Sequence, residues 1–292
     1  MSGAPRVLVV GDVVDDVIVI PRGPVRPDTD TDARIERRPG GSGAGIAAWL
    51  GAAGTAVDFV GCVHAADVER HTALLTAHGV RAVLQATEEA PTSTIVILVD
   101  GDDRTMLTER GANALIRPPG PELVAEAAAV MVSGYSVLGG FGAAGARELI
   151  GAAAAAGVPV AVSPGSSGYL AEFGAEAFLD AVAGARILYP NLAEGRALTG
   201  LDEPEEVAAA LAERFPAVVL TLGAAGVLAV EDGRSRRVPA QRVTRVDPTG
   251  AGDAFLAGHL AAWVAGASAL EALESGVSLA ARAVQQVGGR PA

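Results

Sequence analysis

Strand-like and helix-like segments alternate at short, regular spacing through the second half of this chain, and this alternation limits the possible folds more than any single motif does. From position 121 onward the predicted order is helix, strand, helix, strand, glycine- and serine-rich loop, helix and strand, with the regular segments at 122–129, 130–133, 142–156, 158–162, 175–182 and 186–189. Such alternation builds βαβ units, which give a parallel sheet with helices on both faces. The apolar run at 6–10 has the composition of a buried strand in the same sheet.

A glycine-rich turn lies between a predicted strand at 241–246 and a predicted helix at 254–265. Its sequence is Asp247-Pro248-Thr249-Gly250-Ala251-Gly252-Asp253. Glycines let backbone N–H groups approach an anion closely, and a helix N-terminus adds free donors and partial positive charge, so the turn suits a phosphoryl group. The Asp253 carboxylate fits there if it takes a proton from a substrate hydroxyl. Alternatively, Asp253 only favours the helix dipole and the glycines only turn the chain.

Composition excludes several kinds of chemistry. The net charge is −12, which argues against a surface for nucleic acid or for an anionic membrane. All 22 basic residues are arginine, so lysine-dependent P-loop, pyridoxal-phosphate and Schiff-base mechanisms are excluded. Cys62 is the only cysteine, no signal peptide is recognised, and no uncharged apolar run reaches the ~20 residues of a membrane span. We therefore expect a cytoplasmic protein with neither nucleic acid nor a membrane as partner.

Two acidic groups follow the first predicted strand. Asp12 stands directly after it, and Asp15-Asp16 interrupts the next β-branched run. Open α/β sheets bind ligands at this edge, although three acidic residues in a short segment can also be a solvated loop.

The glycine-rich segment at 40–51 has a second possible meaning. Gly43, Gly45 and Ala48 satisfy the dinucleotide-binding pattern G-x-G-x-x-A. That pattern needs a strand immediately before it, whereas the segment 34–39 is charged and ends in proline. A dinucleotide site is therefore disfavoured.

Motifs along nearly the whole chain resemble those of the ribokinase-like (PfkB) family of sugar and nucleoside kinases. The turn at 247–253 matches that family's D-x-x-G-A-G-D at every fixed position, and Gly40, Gly41 and Ala47 match G-G-x-x-x-N-x-A, with Gly45 in place of asparagine. Three further matches are G-x-x-x-x-D at Gly11 and Asp16, N-x-x-E at Asn191 and Glu194, and T-x-G-x-x-G at Thr221, Gly223 and Gly226. The resemblance implies one ribokinase-like domain over 1–292, an α/β/α core with a small β-lid formed by about 13–38 and 92–110.

The resemblance also implies roles for individual residues. Asp253 would be the general base beside an anion hole of Gly250, Ala251 and Gly252. The acceptor would contact Asp16, Gly40, Gly41, the Gly45 position and, as a second candidate carboxylate, Asp12. The nucleotide would contact Asn191, Thr221, Gly223 and Gly226; Glu194 would orient Mg²⁺ through its water shell; and Asp247 with Thr249 would hold a monovalent cation such as K⁺. Arg110 is either an ordinary surface arginine or a partner for an acidic substrate group.

These roles predict an ATP- and Mg²⁺-dependent kinase acting on a sugar hydroxyl, with a homodimer formed through the lid. One alternative is a nucleoside kinase of the same family. Because Gly45 replaces the family's asparagine, another is a non-catalytic regulator that binds a sugar or nucleotide. His71 and His78 share a predicted helix with no further metal ligand in a recognisable pattern, so we interpret them as solvated.

Overall fold

The structure, a computed structural model, describes residues 5–101 and 103–291. Positions 1–4 and 292 of the predicted domain, and position 102 of the predicted lid, lie outside the described residues. The strands are β1 (Arg6–Val10), β2 (Val14–Pro21), β3 (Ala33–Gly40), β4 (Ala56–His64), β5 (Val80–Thr87), β6 (Ser93–Asp100), β7 (Asp103–Glu109), β8 (Ala129–Ser133), β9 (Val160–Ser163), β10 (Ile187–Leu188), β11 (Ala217–Thr221), β12 (Val227–Glu231) and β13 (Arg234–Val238). The helices are α1 (Ser42–Ala52), α2 (Val68–Thr76), α3 (Pro121–Ala125), α4 (Gly134–Gly139), α5 (Gly142–Ala155), α6 (Ser167–Phe173), α7 (Ala175–Ala181), α8 (Leu192–Thr199), α9 (Pro204–Ala212), α10 (Ala251–Val264) and α11 (Ala269–Ala283).

The large sheet has the strand order β13-β12-β11-β10-β9-β8-β1-β4-β5. Every neighbouring pair from β11 to β5 is parallel, and the hairpin β12–β13 closes the other edge in antiparallel fashion. Helices cover both faces, since one apolar cluster joins the sheet to α3–α9 and a second joins it to α1, α2, α10 and α11. The predicted three-layer α/β/α fold with a mostly parallel sheet is confirmed.

The order of connections places a crevice beside β1. From this strand the chain runs outward through β4 and β5 on one side, then returns to β8 and continues outward on the other side. In open α/β sheets ligands bind at such a switch point, beyond the carboxyl ends of the strands. The ends of β1 and β8 meet there, and Ser133 Oγ donates a hydrogen bond to Asp12 Oδ1 at 2.8 Å.

A second sheet, of order β3-β2-β6-β7, forms the lid. Its central pair, β2 and β6, is parallel, and each edge strand is antiparallel to its neighbour. The lid occupies nearly the predicted ranges, because chain segments 14–40 and 93–109 build it. That the whole chain counts as one domain stays a prediction.

The predicted strand at 241–246 is wrong. The chain is irregular from position 239 until α10 begins. β13 is the last strand of its sheet edge, so the following segment has no neighbouring strand to pair with. The N–H groups of Val246 and Asp247 both donate instead to the carbonyl oxygen of Val284.

Other predicted boundaries need smaller corrections. The helix predicted at 122–129 ends at Ala125, because Ala129 already pairs with Val7 of β1. The loop predicted after β9 contains α6, which buries Leu170, and α4 also escaped prediction. Among the described helices, none is both long enough and apolar enough to span a membrane.

Candidate active site

The first turn of α10 borders two cavities at the carboxyl edge of the large sheet. Thr249, Gly250 and Asp253 line the larger cavity, of about 430 Å³. Ala251 and Gly252 line the other, of about 370 Å³. Gly250 precedes the helix in the left-handed conformation, with φ 76°, and a side chain there would collide with the backbone of Gly289. One helix N-terminus, which can stabilise an anion, therefore faces both cavities.

Asp253 is held by a residue of the other glycine-rich segment. Ser42 Oγ, at the start of α1, donates a hydrogen bond to Asp253 Oδ1 at 2.6 Å. Burial raises the pKa of Asp253 to about 7; the bond from Ser42 opposes this rise, and the charges of Asp12 and Glu194 add to it. A carboxyl group that titrates near neutral pH is suited to accept a proton from a hydroxyl.

Asp12 supports the floor of the larger cavity. Its carboxylate accepts hydrogen bonds from the N–H groups of Ser42 and Gly43, at 2.8 and 3.0 Å, and from the hydroxyl of Ser133. These donors tie the first turn of α1 to the end of β1. Gly41 precedes α1 with φ 92°, a conformation that favours glycine. The role of Asp12 as a substrate ligand stays a prediction, since donors of the protein already engage both of its oxygens.

Asp16 lies on β2 with its carboxylate at the larger cavity. Burial raises its pKa to about 6, with Arg290 acting against the rise and Asp12 adding to it; no hydrogen bond from the described residues contributes. A side chain at Gly40 would overlap the Asp16 carboxylate. Glycine at position 40 therefore leaves room for the Asp16 carboxylate. Because no described residue donates a hydrogen bond to this carboxylate, its oxygens are available to a ligand.

Gly45 leaves room for the other carboxylate. A Cβ atom at this buried position of α1 would lie 2.8 Å from Asp253 Oδ2. The family's asparagine is replaced by glycine at a point where the carboxylate of Asp253 occupies the space beside Cα of Gly45.

Two arginines complete the larger cavity. Arg290, which is 8% exposed, donates from Nη2 to the carbonyl oxygen of Gly40 at 2.7 Å, while its Nε and Nη1 are buried without a partner among the described residues. Arg110 lies 4.3 Å from the ring centroid of Tyr169 and donates to the carbonyl oxygen of Leu138. The surface interpretation of Arg110 is wrong, since it is half-buried and lines the cavity.

The second cavity collects residues from the predicted nucleotide motif. Thr221 ends β11, and Gly223 and Gly226 follow it; all three line this cavity, together with Ala280 and Ala281 of α11. Small residues on both sides leave a slot, and its volume is within the range of small-molecule sites.

Asn191 and Glu194 form a capping box at the start of α8, outside both cavities. Asn191 Oδ1 accepts from the N–H of Glu194 at 2.9 Å, and the Glu194 carboxylate accepts from the backbone N–H and the side-chain amide of Asn191. Burial raises the pKa of Glu194 to about 7, opposed by the hydrogen bonds from Asn191. Their roles with nucleotide and Mg²⁺ stay predictions.

Asp247 and Thr249 are engaged by a residue of the lid. Arg104 of β7 donates to Thr249 Oγ1 at 2.5 Å and to Asp247 Oδ1 at 3.0 Å. The place predicted for a monovalent cation therefore contains a guanidinium group.

The interpretation of His71 as a solvated residue is wrong. Its side chain is fully buried in α2, with Nε2 3.6 Å from Asp15 Oδ1 of the lid, and burial lowers its pKa to about 4. His78 is half-buried. Among the described residues, no cluster of three or more His, Cys, Asp or Glu could hold a metal ion.

Sequence reasoning missed Ser42 and Arg290 at the larger cavity, and it missed Arg104 of the lid, which contacts Asp247 and Thr249. Ser42 could have been found, because it stands between the glycines of a recognised motif. Arg104 and Arg290 lie far from each other in the chain and in segments without a matching pattern, so only the folded arrangement reveals them.

Known proteins resemble this chain in sequence. The sequence pattern of the pfkB family carbohydrate kinases matches residues 4–292. The 1-phosphofructokinase of Haloferax volcanii is 39% identical over 137 residues, which cover 45% of this chain and 42% of that protein. The aligned segments span between 27% and 56% of the lengths of the curated relatives that the chain matches.

Solved structures resemble the chain over nearly its whole length. Adenosine kinase from Sinorhizobium meliloti superimposes with a TM-score of 0.88 at 24% identity, covering 99% of this chain and 96% of that one. Arabidopsis thaliana ribokinase, solved with ribose and ATP, gives a TM-score of 0.79 at 26% identity and covers 98% and 94%.

Proposed function

Because this chain belongs to the family of pfkB carbohydrate kinases, we propose that it is an ATP-dependent kinase that transfers the γ-phosphoryl group to a hydroxyl of a sugar. The observation that carries this proposal is the first turn of α10, which borders the larger cavity, with Asp16 and Asp253, on one side and the second cavity, with Thr221, on the other. A phosphoryl group passing between the two ligands would meet the backbone N–H groups of this turn.

In the proposed mechanism, Asp253 accepts the proton of the attacking hydroxyl. The oxygen then forms a bond to the γ-phosphorus as the bond to the leaving ADP oxygen breaks, and the N–H groups of 250–253 stabilise the charge on the transferring group. Asp16 accepts hydrogen bonds from other hydroxyls of the acceptor and orients it. The lid covers this cavity and excludes water that would otherwise hydrolyse ATP.

Mg²⁺ belongs to the same proposal. When bound to ATP, it neutralises phosphate charge. The residues present can meet this ion only through its waters. Both oxygens of the buried Glu194 carboxylate, whose charge acts on Asp253, already accept hydrogen bonds from Asn191, and Mg²⁺ keeps most of its waters and needs few protein carboxylates. Glu194, with Asn191, would hold the water shell of the ion.

A nucleoside is the second candidate acceptor. The lid lines its side of the larger cavity with Ile95, Ile97 and Met106, an apolar wall on which a base could stack. A free sugar offers only small apolar surface to such a wall. This observation supports a nucleoside kinase, or a sugar that carries an apolar substituent.

A homodimer through the lid is also part of the proposal. Ile35 on β3 and Leu107 on β7 are each 61% exposed at opposite edges of the lid sheet. Covering them with a second copy would remove apolar surface from water. Sedimentation of wild type and of Ile35→Asp with Leu107→Asp tests this: a dimer should become a monomer.

The activity itself is tested by ADP release with Mg-ATP across pentoses, hexoses, sugar phosphates, sugar acids and nucleosides. A strong response to one class identifies the acceptor. ATP binding without turnover on any of them would contradict the kinase and favour a non-catalytic regulator.

Once an acceptor is identified, replacing the proposed general base, Asp253, is the sharpest test of the mechanism. Asp253→Asn should lower kcat by about 10²- to 10⁴-fold, because the amide cannot take the proton. Asp202→Asn, at a 91% exposed side chain, is the matched control and should keep full activity. Near-normal turnover in Asp253→Asn would contradict the mechanism.

A further inference from the structure

Asp247 begins the glycine-rich turn that leads into α10, and its carboxylate accepts several hydrogen bonds from described residues. Asp247 Oδ1 accepts from the N–H and hydroxyl of Thr249, at 2.9 and 2.7 Å, and from Arg104 Nη2; Oδ2 accepts from the N–H of Gly288 at 3.0 Å. Its side chain is 15% exposed. Four donors, one of them a guanidinium, therefore hold this carboxylate as a half-buried anion.

An anion at this point must be neutralised. Thr249 and Gly250, which follow it within three positions, line the cavity where the phosphoryl group would arrive. An uncompensated negative charge would oppose the binding of phosphate by the adjacent N–H groups. Arg104 supplies the compensating charge through two bonds, one to each residue of the pair.

These contacts do not fit a monovalent metal ion. The oxygens that such an ion would need, those of Asp247 and Thr249, already accept hydrogen bonds from N–H groups and from the guanidinium. A metal ion bound beside Arg104 would also meet like charge. The chain thus departs from the cation site that its resemblance implied.

Arg104 also connects two parts of the molecule. It belongs to β7, where Arg104, Met106 and Thr108 alternate along one face, and the latter two line the acceptor cavity. A single side chain therefore joins the lid to the loop in front of α10. The hydrogen bonds of Arg104 with Thr249 and Asp247 can form only while the lid lies over the cavity.

We propose that Arg104 is a built-in cation that replaces the monovalent metal ion, neutralises Asp247 and couples lid closure to the order of the catalytic turn. This role rests on the proposed kinase function, in which Arg104 is a positioning residue. Turnover by the wild-type protein should then be independent of K⁺.

The test compares K⁺, Na⁺ and tetramethylammonium chlorides at equal ionic strength, with two measurements. In wild type, both kcat/KM and the melting temperature should be the same in all three salts. Arg104→Ala should lower kcat/KM by about tenfold in tetramethylammonium. K⁺ should restore part of that loss and raise the variant's melting temperature, because the emptied oxygens become available to it.

Two further variants act as controls. Arg37→Ala removes an exposed arginine of the same lid and should match wild type in every salt. Arg104→Lys keeps the charge but cannot bond both partners as the planar guanidinium does, so its kcat/KM should fall less than that of Arg104→Ala and its melting temperature should not respond to K⁺.

A wild-type melting temperature or activity that rises specifically with K⁺ would overturn the proposal. So would an Arg104→Ala protein that behaves like Arg37→Ala. If no acceptor supports turnover, the kinase proposal fails, whereas the melting comparison still decides whether Arg104 takes the place of the ion.

Discussion

A carboxyl group that is to accept a proton near neutral pH must lose contact with water and yet stay hydrogen-bonded. Asp253 meets both conditions, because burial raises its pKa to about 7 while Ser42 donates to it at 2.6 Å. The sequence identified Asp253 through the glycines before it. It gave no sign that Ser42, 211 positions away, contacts Asp253, because contact between two turns depends on how α1 and α10 pack.

The pH dependence of turnover should report this group. Only ionised Asp253 can act as the base, so kcat/KM for the acceptor should rise about tenfold per pH unit below pH ~7 and level off above it. The measurement is a pH profile of kcat/KM at saturating Mg-ATP. Asp16→Asn, with lower activity, should keep the same rising limb. A flat profile between about pH 5 and pH 8 would contradict the assignment.

At the scale of helices and strands, the sequence predicted an element correctly where the residues that stabilise it lie close together in the chain. The start of α8 is such a case, since Asn191 and Glu194 form a capping box three residues apart. The segment 241–246 is the opposite case: its composition suited a strand, but the sheet ends at β13 and offers it no partner. A strand needs a neighbouring strand to pair with, and whether one is present depends on the tertiary structure.

Two capping boxes among the described helices allow a structural role of Asn191 to be separated from a role in nucleotide binding. Ser268 caps α11 in the same way, and neither capping box lines a cavity, but the charge of Glu194, the partner of Asn191, acts on Asp253. Asn191→Ala and Ser268→Ala should each lower the free energy of unfolding by about 1 kcal/mol. Only Asn191→Ala should also raise KM for Mg-ATP. Equal, unchanged kinetics in both variants would leave Asn191 as a cap and contradict its nucleotide role.

For the whole molecule, the buried carboxyl groups of the candidate site lower the stability of the fold at neutral and higher pH. The carboxyl groups of Asp16, Glu194 and Asp253 share one region, and burial raises the pKa of each. A group whose pKa is higher in the folded state stabilises the fold fully at low pH and loses that contribution as pH rises through the folded value. Concentrating such groups is typical of a functional site.

Thermal unfolding should reveal this cost. For Asp253, with a pKa of about 7 against 3.8 for an unperturbed aspartate, the stabilising proton is lost as pH rises through about 7. Asp253→Asn should therefore be more stable than wild type at pH 8 by about 1–4 kcal/mol, and the difference should shrink toward pH 4. The exposed control Asp202→Asn should show no such trend. A difference independent of pH would contradict the raised pKa.

The sequence by itself determined the layered α/β architecture and the glycine-rich turn before α10, because apolar periodicity and glycine spacing are local properties of the chain. The lid segments followed from the resemblance to the family. Tertiary structure alone decided that Ser42 holds Asp253, that Arg290 lies buried beside Asp16, and that Arg104 reaches Asp247 from the lid. Each of these contacts joins residues at least 143 positions apart, or depends on burial that several elements create together. Charges act through space rather than along the chain, so their partners become visible only once the chain is folded.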